Sequence, residues 1–65
     1  MKEVTEIYKK SIGRRISVGI PHYETPGRLF YIAGQLLSVN DEYIILDTGK
    51  SIRKIELKDV IEFQV

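Results

Sequence analysis

Alternating apolar and polar positions dominate the chain after its first dozen residues. From residue 15 to residue 20 every second side chain is apolar, namely Ile16, Val18 and Ile20. This is the period-two pattern of a strand with one buried face. Apolar and β-branched runs continue to the end, and they predict five strands at about residues 15–20, 29–40, 43–48, 52–57 and 60–65. Before them, helical spacing of apolar residues, with Gly13 as a left-handed cap, predicts one short amphipathic helix at about residues 3–12.

The stretch from residue 29 to residue 46 is the centre of this pattern. Two apolar runs flank Asn40, Asp41 and Glu42, which are turn-forming residues, so the stretch predicts a hairpin of strands two and three. Gly34 lies inside strand two, where glycine is expected at a bend or a bulge. A bent central strand is typical of a small barrel.

The apolar parity of strand two changes at Leu36 and Leu37. A bulge there would turn both apolar sets inwards, and the alternative is a strand buried on both faces. Strand three is also apolar on both faces, so we expect the helix or a neighbouring chain to cover its outer side. With the very tight connection at Lys58 and Asp59, the layout predicts an all-β fold with a short N-terminal helix, a five-stranded SH3-type small barrel.

Length and charge narrow the function classes. The 65 residues predict a single domain, 1–65, and a domain of this size buries only about 60% of the surface of its unfolded chain. The chain has no cysteine, so neither a disulfide nor a thiolate metal site can stabilise it, and we expect self-association.

Ten Lys and Arg against nine Asp and Glu give a net charge of +1, which provides no overall attraction to nucleic acid or to a membrane. No apolar run is long enough to span a bilayer and the first residues do not resemble a signal peptide, so a cytoplasmic location is expected.

Catalytic chemistry is not expected. The sequence contains no recognisable nucleophile and base pair, no phosphate-binding glycine loop and no paired carboxylates in a pocket-forming context. His22 is the only histidine and lies in a proline-containing loop, so neither a metal site nor a cofactor is predicted.

Four short segments resemble the Sm and LSm family. Residues 8–18 are similar to the family's junction between helix and first strand, and residues 32–36 to its apolar-x-Gly-x-apolar motif. Residues 41–46 resemble the first half of its RNA site, and residues 55–63 its last motif with the short link between strands four and five. The resemblance implies an Sm-like barrel that forms a homo-oligomeric ring through strands four and five.

The spacing from Gly34 decides what the resemblance implies for the RNA site. With one inserted residue, as a bulge would supply, Asp41 takes the place of the family's orienting carboxylate and Tyr43 that of its base-stacking aromatic. Ile45 then replaces the asparagine that reads the base. Ordinary roles stand beside these: Asp41 as a turn former, and Tyr43 as a strand tyrosine that packs across the hairpin.

Without the inserted residue the same places fall to Asn40, Glu42 and Ile44, which offer neither stacking nor amide readout. The family's Arg-Gly pair in the last motif becomes Glu56 and Leu57. A uridine pocket of the usual kind is therefore incomplete in both registers.

Two groups of relatives indicate alternatives. Bacterial Hfq has a Lys-His pair in its last motif, of which Lys54 matches the lysine while Ile55 replaces the histidine. The LSm domains of mRNA-decapping scaffold proteins lack the uridine-binding residues and dock proteins instead.

Basic residues are the remaining candidates for phosphate contact. These residues are Arg14, Arg15, Lys50, Arg53 and Lys54. They could form a basic rim that contacts phosphates, or they could be part of an ordinary solvated surface. The first functional hypothesis is a ring that binds single-stranded RNA weakly or with low base specificity. Its predicted RNA-binding residues are Asn40, Asp41, Tyr43, Arg53 and Lys54. The alternative is a protein-interaction or structural module without a working uridine pocket.

Overall fold

A computed structural model of the protein describes residues 2–65, with side chains from residue 6 onward. Over these residues the chain forms one α-helix, one 3₁₀-helix and five strands. In chain order they are α1 (Lys2–Lys10), β1 (Arg15–Pro21), β2 (Leu29–Val39), β3 (Tyr43–Asp47), β4 (Ile52–Glu56), η1 (Leu57–Asp59) and β5 (Glu62–Gln64). The prediction of a β-rich fold with a short N-terminal helix and five strands is confirmed.

The five strands form one antiparallel sheet in the order β4-β3-β2-β1-β5. The long strand β2 is shared between two partners: β1 pairs with it from Leu29 to Gln35, and β3 pairs with it from Gln35 to Val39. The sheet therefore has a β1–β5 half and a β3–β4 half that meet at the middle of β2. β4 and β5 are its two edges.

The core lies on one face of this sheet and is covered partly by α1. Alternation along the strands turns one set of apolar side chains inwards, and the most deeply buried are Ile16, Val18, Leu36, Ile44 and Leu46. From the helix, Tyr8 is 3% exposed and its ring meets that of Phe63 edge-on at a centroid distance of 4.4 Å. Helix packing thus fixes both the end of the core and the position of β5.

The predicted bulge in β2 is confirmed, and its expected effect on the apolar side chains is observed for Val39 but not for Leu37. Leu36 pairs with Leu46 and Ser38 with Ile45, so Leu37 is the additional residue. The expectation was that the bulge turns both apolar sets inwards, whereas Leu37 remains 42% exposed and only Val39 packs against the core. The alternative, a strand buried on both faces, is wrong, since Tyr31 on the outer face is exposed.

Gly34 is explained by a close approach of backbones. A Cβ atom at this position would lie 2.5 Å from the carbonyl oxygen of Asp47 and 2.9 Å from its carbonyl carbon. The site is buried, and the atoms in the way belong to the backbone of β3, which cannot rotate aside as a side chain can.

The outer face of the sheet carries a second glycine-dependent contact. Tyr31, Gly19 and Glu62 are neighbours on β2, β1 and β5, and the Tyr31 hydroxyl donates a hydrogen bond of 2.9 Å to Glu62. A Cβ on Gly19 would lie 3.0 Å from the Tyr31 ring, so the absence of a side chain lets the ring pass over β1. This contact ties the short edge strand β5 to the middle of the sheet.

The predicted ends of β1 to β4 are within one residue of those observed, and larger differences occur at the helix and at β5. The helix was expected to reach residue 12 but ends at Lys10, because Ser11 N–H donates to the Tyr8 carbonyl in a tightened last turn. Gly13, at φ 89°, then directs its own N–H to the Leu36 carbonyl. β5 was expected over 60–65 but covers Glu62–Gln64, because Val60 N–H closes η1 onto the Leu57 carbonyl.

Candidate nucleic-acid interface

The β2–β3 turn is organised by Asn40. Its Oδ1 accepts hydrogen bonds from the backbone N–H groups of Glu42, at 2.8 Å, and Tyr43, at 2.9 Å. Its own N–H donates to the Tyr43 carbonyl at 3.0 Å. An asparagine that bonds the backbone two and three residues on is typical of a tight turn. Asn40 therefore performs the loop-holding role that the sequence assigned to Asp41, and Asp41 lies exposed at the tip.

Tyr43 and Lys54 lie together on the outer face of the β3–β4 hairpin. Tyr43 is half-buried, and the Lys54 ammonium lies 4.5 Å from the centroid of its ring. A cation over an exposed aromatic ring contributes about 0.5–1 kcal/mol. Tyr43 thus packs across the hairpin as an ordinary strand tyrosine does, and a base can stack on this face of the ring only if Lys54 moves.

Arg53 is separated from the other predicted site residues. Successive side chains of a strand point to opposite faces, and Arg53 pairs with Leu46, so it shares the core side of the sheet with Ile55. Its exposed side chain reaches the end of the sheet where β1 and β2 meet, beside Phe30. The structure brings Asn40, Asp41, Tyr43 and Lys54 to the same part of the sheet and leaves Arg53 on the opposite face of β4.

A groove of about 310 Å³ beside the turn is mainly acidic. It is lined by Asp41, Glu42, Glu56, Leu57 and Lys58. The Leu57 N–H donates to the Glu42 carbonyl at 2.9 Å, which joins η1 to the turn. Lys58 forms an exposed ion pair with Glu56 at 3.4 Å.

Of the three carboxylates in this groove, Asp41 was predicted as part of the RNA site, whereas Glu56 was not. Glu56 lies there because β4 pairs it with Tyr43, a register that is not visible in the sequence. Three carboxylates against one ammonium oppose phosphate binding next to Tyr43.

The expected basic rim is divided between distant parts of the sheet. Arg14 and Arg15 lie where β1 begins, and Lys50 lies in the β3–β4 turn, at the other end of the hairpin from Tyr43. All five predicted members are exposed. The alternative interpretation, a solvated surface, therefore fits them better than a single rim does.

In the part of the chain that the structure describes, no three His, Asp or Glu side chains come together as metal ligands. No helix there is long and apolar enough to cross a membrane. Comparison with protein-family models, with curated proteins and with solved structures yields no match to the chain.

Proposed function

We propose that the protein is an Sm-like domain whose copies join β4 of one to β5 of the next, and that the resulting ring binds single-stranded RNA weakly and with low base specificity. The observation that carries the proposal is the strand order, in which β4 and β5 are the two edges of the sheet. An edge strand presents unpaired backbone groups that can pair with another chain. Two different edges that pair produce a head-to-tail contact, which closes into a ring when the rotation between copies permits.

Charge and exposed apolar area favour pairing between the unlike edges. β4 carries Arg53, Lys54 and Glu56, while Glu62 is the only charged residue of β5. Pairing two β4 edges would bring like charges together, whereas pairing β4 with β5 brings a net positive strand to a negative one. Ile52 at the start of β4 and Ile61 before β5 are both more than half exposed and would be covered by the same contact.

The small-barrel part of the proposal is supported by β2. This strand has eleven residues, carries a bulge at Leu37 and has a backbone contact at Gly34 that only glycine permits. Bulges and glycines of this kind let one strand serve two halves of a curved sheet.

RNA binding is assigned to Tyr43 with Lys54. The bulge adds one residue to β2, which supports the register in which Asp41 and Tyr43 would take the family's carboxylate and aromatic places. Ile45 has no hydrogen-bonding group where the family has asparagine, so the site stacks on a base without reading its edge. The acidic groove beside it lowers the affinity for phosphate, which accounts for the low strength that we propose.

The test is a fluorescence-anisotropy titration of labelled uridine-rich and adenine-rich RNA at two salt concentrations, with the oligomer mass measured in the same buffers. We expect weak binding to both RNAs that decreases as salt increases. No binding to either RNA at low salt would refute the RNA part, and a monomer would refute the ring.

A second candidate function has its own support. Asp41, Glu42 and Glu56 give the groove at the turn an acidic lining suited to a basic peptide rather than to RNA. A lysine-rich peptide that binds at this groove, while RNA does not, would establish a protein-interaction module instead.

A further inference from the structure

A second groove lies at the end of the sheet opposite the β2–β3 turn. Its volume is about 340 Å³, and its lining includes Ile20, Pro21, His22, Tyr23, Phe30 and Arg53. Phe30 pairs with Ile20 near the start of β2, nine residues before the end of that strand at the turn. The lining residues of this aromatic groove and those of the acidic groove at the turn have no member in common.

Two aromatic side chains of this groove are exposed, Tyr23 almost fully and Phe30 by about half. Their exposed fractions are 91% and 48%. Large aromatic side chains are usually buried for their packing energy, and an exposed group of them is a feature of binding sites.

The loop that carries Tyr23 is closed by hydrogen bonds within its own backbone. The His22 N–H donates to the Arg28 carbonyl at 2.9 Å, and the Arg28 N–H donates to the Thr25 carbonyl at 3.1 Å. His22 Nδ1 accepts from the Glu24 N–H at 3.3 Å, and the His22 ring lies within 9° of parallel to the Tyr23 ring, with centroids 6.0 Å apart. An imidazole whose Nδ1 accepts a hydrogen bond carries its N–H at Nε2, from which it can donate to a ligand.

Arg53 supplies a positive charge at the same groove. Strand alternation puts Arg53 on the opposite face of β4 from Lys54, and Arg53 lines this groove together with Phe30 and the loop. Glu24 is the one carboxylate of the lining, in contrast to three at the acidic groove. The combination is aromatic surface, one guanidinium and one imidazole donor.

We propose that the aromatic groove binds one nucleotide of a single-stranded nucleic acid. The base stacks on Tyr23 or Phe30, and the phosphate is contacted by Arg53 and by His22 Nε2–H. Stacking on aromatic rings combined with cationic contacts to the backbone is how proteins bind single strands without sequence preference. The volume is at the lower end of small-ligand pockets, enough for one such unit. The inference rests on the proposed function for its class of ligand, but it does not require Tyr43 to be a contact.

The experiment is a titration of the ¹⁵N-labelled full chain with a ten-nucleotide single-stranded RNA, followed by amide chemical shifts. We expect shifts in the loop at residues 21–28 and at Arg53. Tyr23→Ala should weaken binding at least about fivefold, the lower limit for loss of one stacked base, whereas Tyr23→Phe should retain it. Since Tyr23 is so exposed, neither variant should alter the melting temperature.

Comparison with Tyr43→Ala separates this proposal from the function proposed above. Weakening by Tyr23→Ala alone supports the aromatic groove and removes Tyr43 from the site. Weakening by Tyr43→Ala alone overturns the groove and leaves the proposed function standing. Absence of binding by the wild type overturns both.

Two further ligands test the occupant. A free mononucleotide should shift the same amides only at much higher concentration, and equal affinity would mean that the groove takes a free nucleotide instead. A proline-rich peptide that shifts these amides while RNA does not would overturn the proposal in favour of a peptide-docking groove.

Discussion

Gly34 lies where the two halves of the sheet meet, and its replacement tests the account of β2. A Cβ at this position would be 2.5 Å from the Asp47 carbonyl oxygen and 3.1 Å from the Thr48 Cα. Because these are backbone atoms, β2 and β3 must separate to admit even one carbon. Gly34→Ala is therefore an overpacking substitution at a buried position.

The magnitude follows from two opposing effects. Overpacking a buried site costs about 1–3 kcal/mol, and replacing glycine by alanine restricts the unfolded chain, which returns about 0.4–1 kcal/mol. The expected net loss for Gly34→Ala is about 1 kcal/mol. Gly34→Val adds two methyl groups where there is no room, so its loss should exceed about 1 kcal/mol. A domain of this size has a total stability of about 3–10 kcal/mol, so the valine variant should be clearly destabilised.

The assay is thermal unfolding followed by circular dichroism, in which 1 kcal/mol corresponds to a change in Tm of about 4–8 °C. Gly19→Ala is the matched control, since its Cβ would meet the Tyr31 ring at 3.0 Å, and that exposed side chain can move. Its loss should be smaller. If Gly34→Ala melted at the wild-type temperature, or Gly19→Ala lost as much stability as Gly34→Ala, then the backbone of Asp47 would not be what excludes a side chain at Gly34.

Three further predictions concern the outer face, the sheet edges and the RNA site. The pKa of the Tyr31 hydroxyl is raised by its hydrogen bond to Glu62 and, to a smaller extent, by burial and by the Glu62 charge. The hydroxyl therefore stabilises the fold below the unfolded tyrosine pKa of about 10, and this stabilisation is lost as the pH rises through the folded pKa. As the pH is raised above about 10, the free energy of unfolding, measured with urea, should therefore decrease less in Tyr31→Phe than in the wild type. An equal decrease in both proteins would mean that the hydrogen bond from Tyr31 to Glu62 does not stabilise the fold. Lys54→Glu should weaken self-association and Lys54→Glu with Glu62→Lys should restore part of it, as measured by sedimentation equilibrium; no recovery would argue against the edge pairing. Tyr43→Ala should lower RNA affinity by roughly 1–3 kcal/mol without dissociating the oligomer, and Lys54→Ala should chiefly flatten the salt dependence; identical titration curves for wild type and variants would remove both residues from the site.

The strand pattern could be predicted from the sequence where local chemistry decides it. Period-two alternation identified β1. The change of apolar parity at Leu36 and Leu37 located the bulge, because one additional residue moves the side chains that follow it to the other face of the strand. Asn40 was recognisable as a turn residue, although its side chain rather than that of Asp41 holds the turn.

The remaining features depend on contacts between residues distant in the chain. Only the pairing of Tyr43 with Glu56 shows that a third carboxylate lies at the predicted RNA site, beside Asp41 and Glu42. The alternation that separates Arg53 from Lys54 was present in the sequence and is the signal that would have divided the proposed site. The approach of Asp47 to Gly34 is set by how closely two backbones pass, and no local pattern encodes that distance.

Native mass spectrometry of the full chain at micromolar concentration would detect the ring that we propose. Pairing of β4 with β5 between copies predicts one closed oligomer whose mass is a fixed multiple of the 7.5 kDa chain. That multiple should stay the same on dilution until the ring dissociates. A monomer at all concentrations, or a series of open oligomers that lengthens with concentration, would exclude a closed ring formed by pairing of β4 with β5.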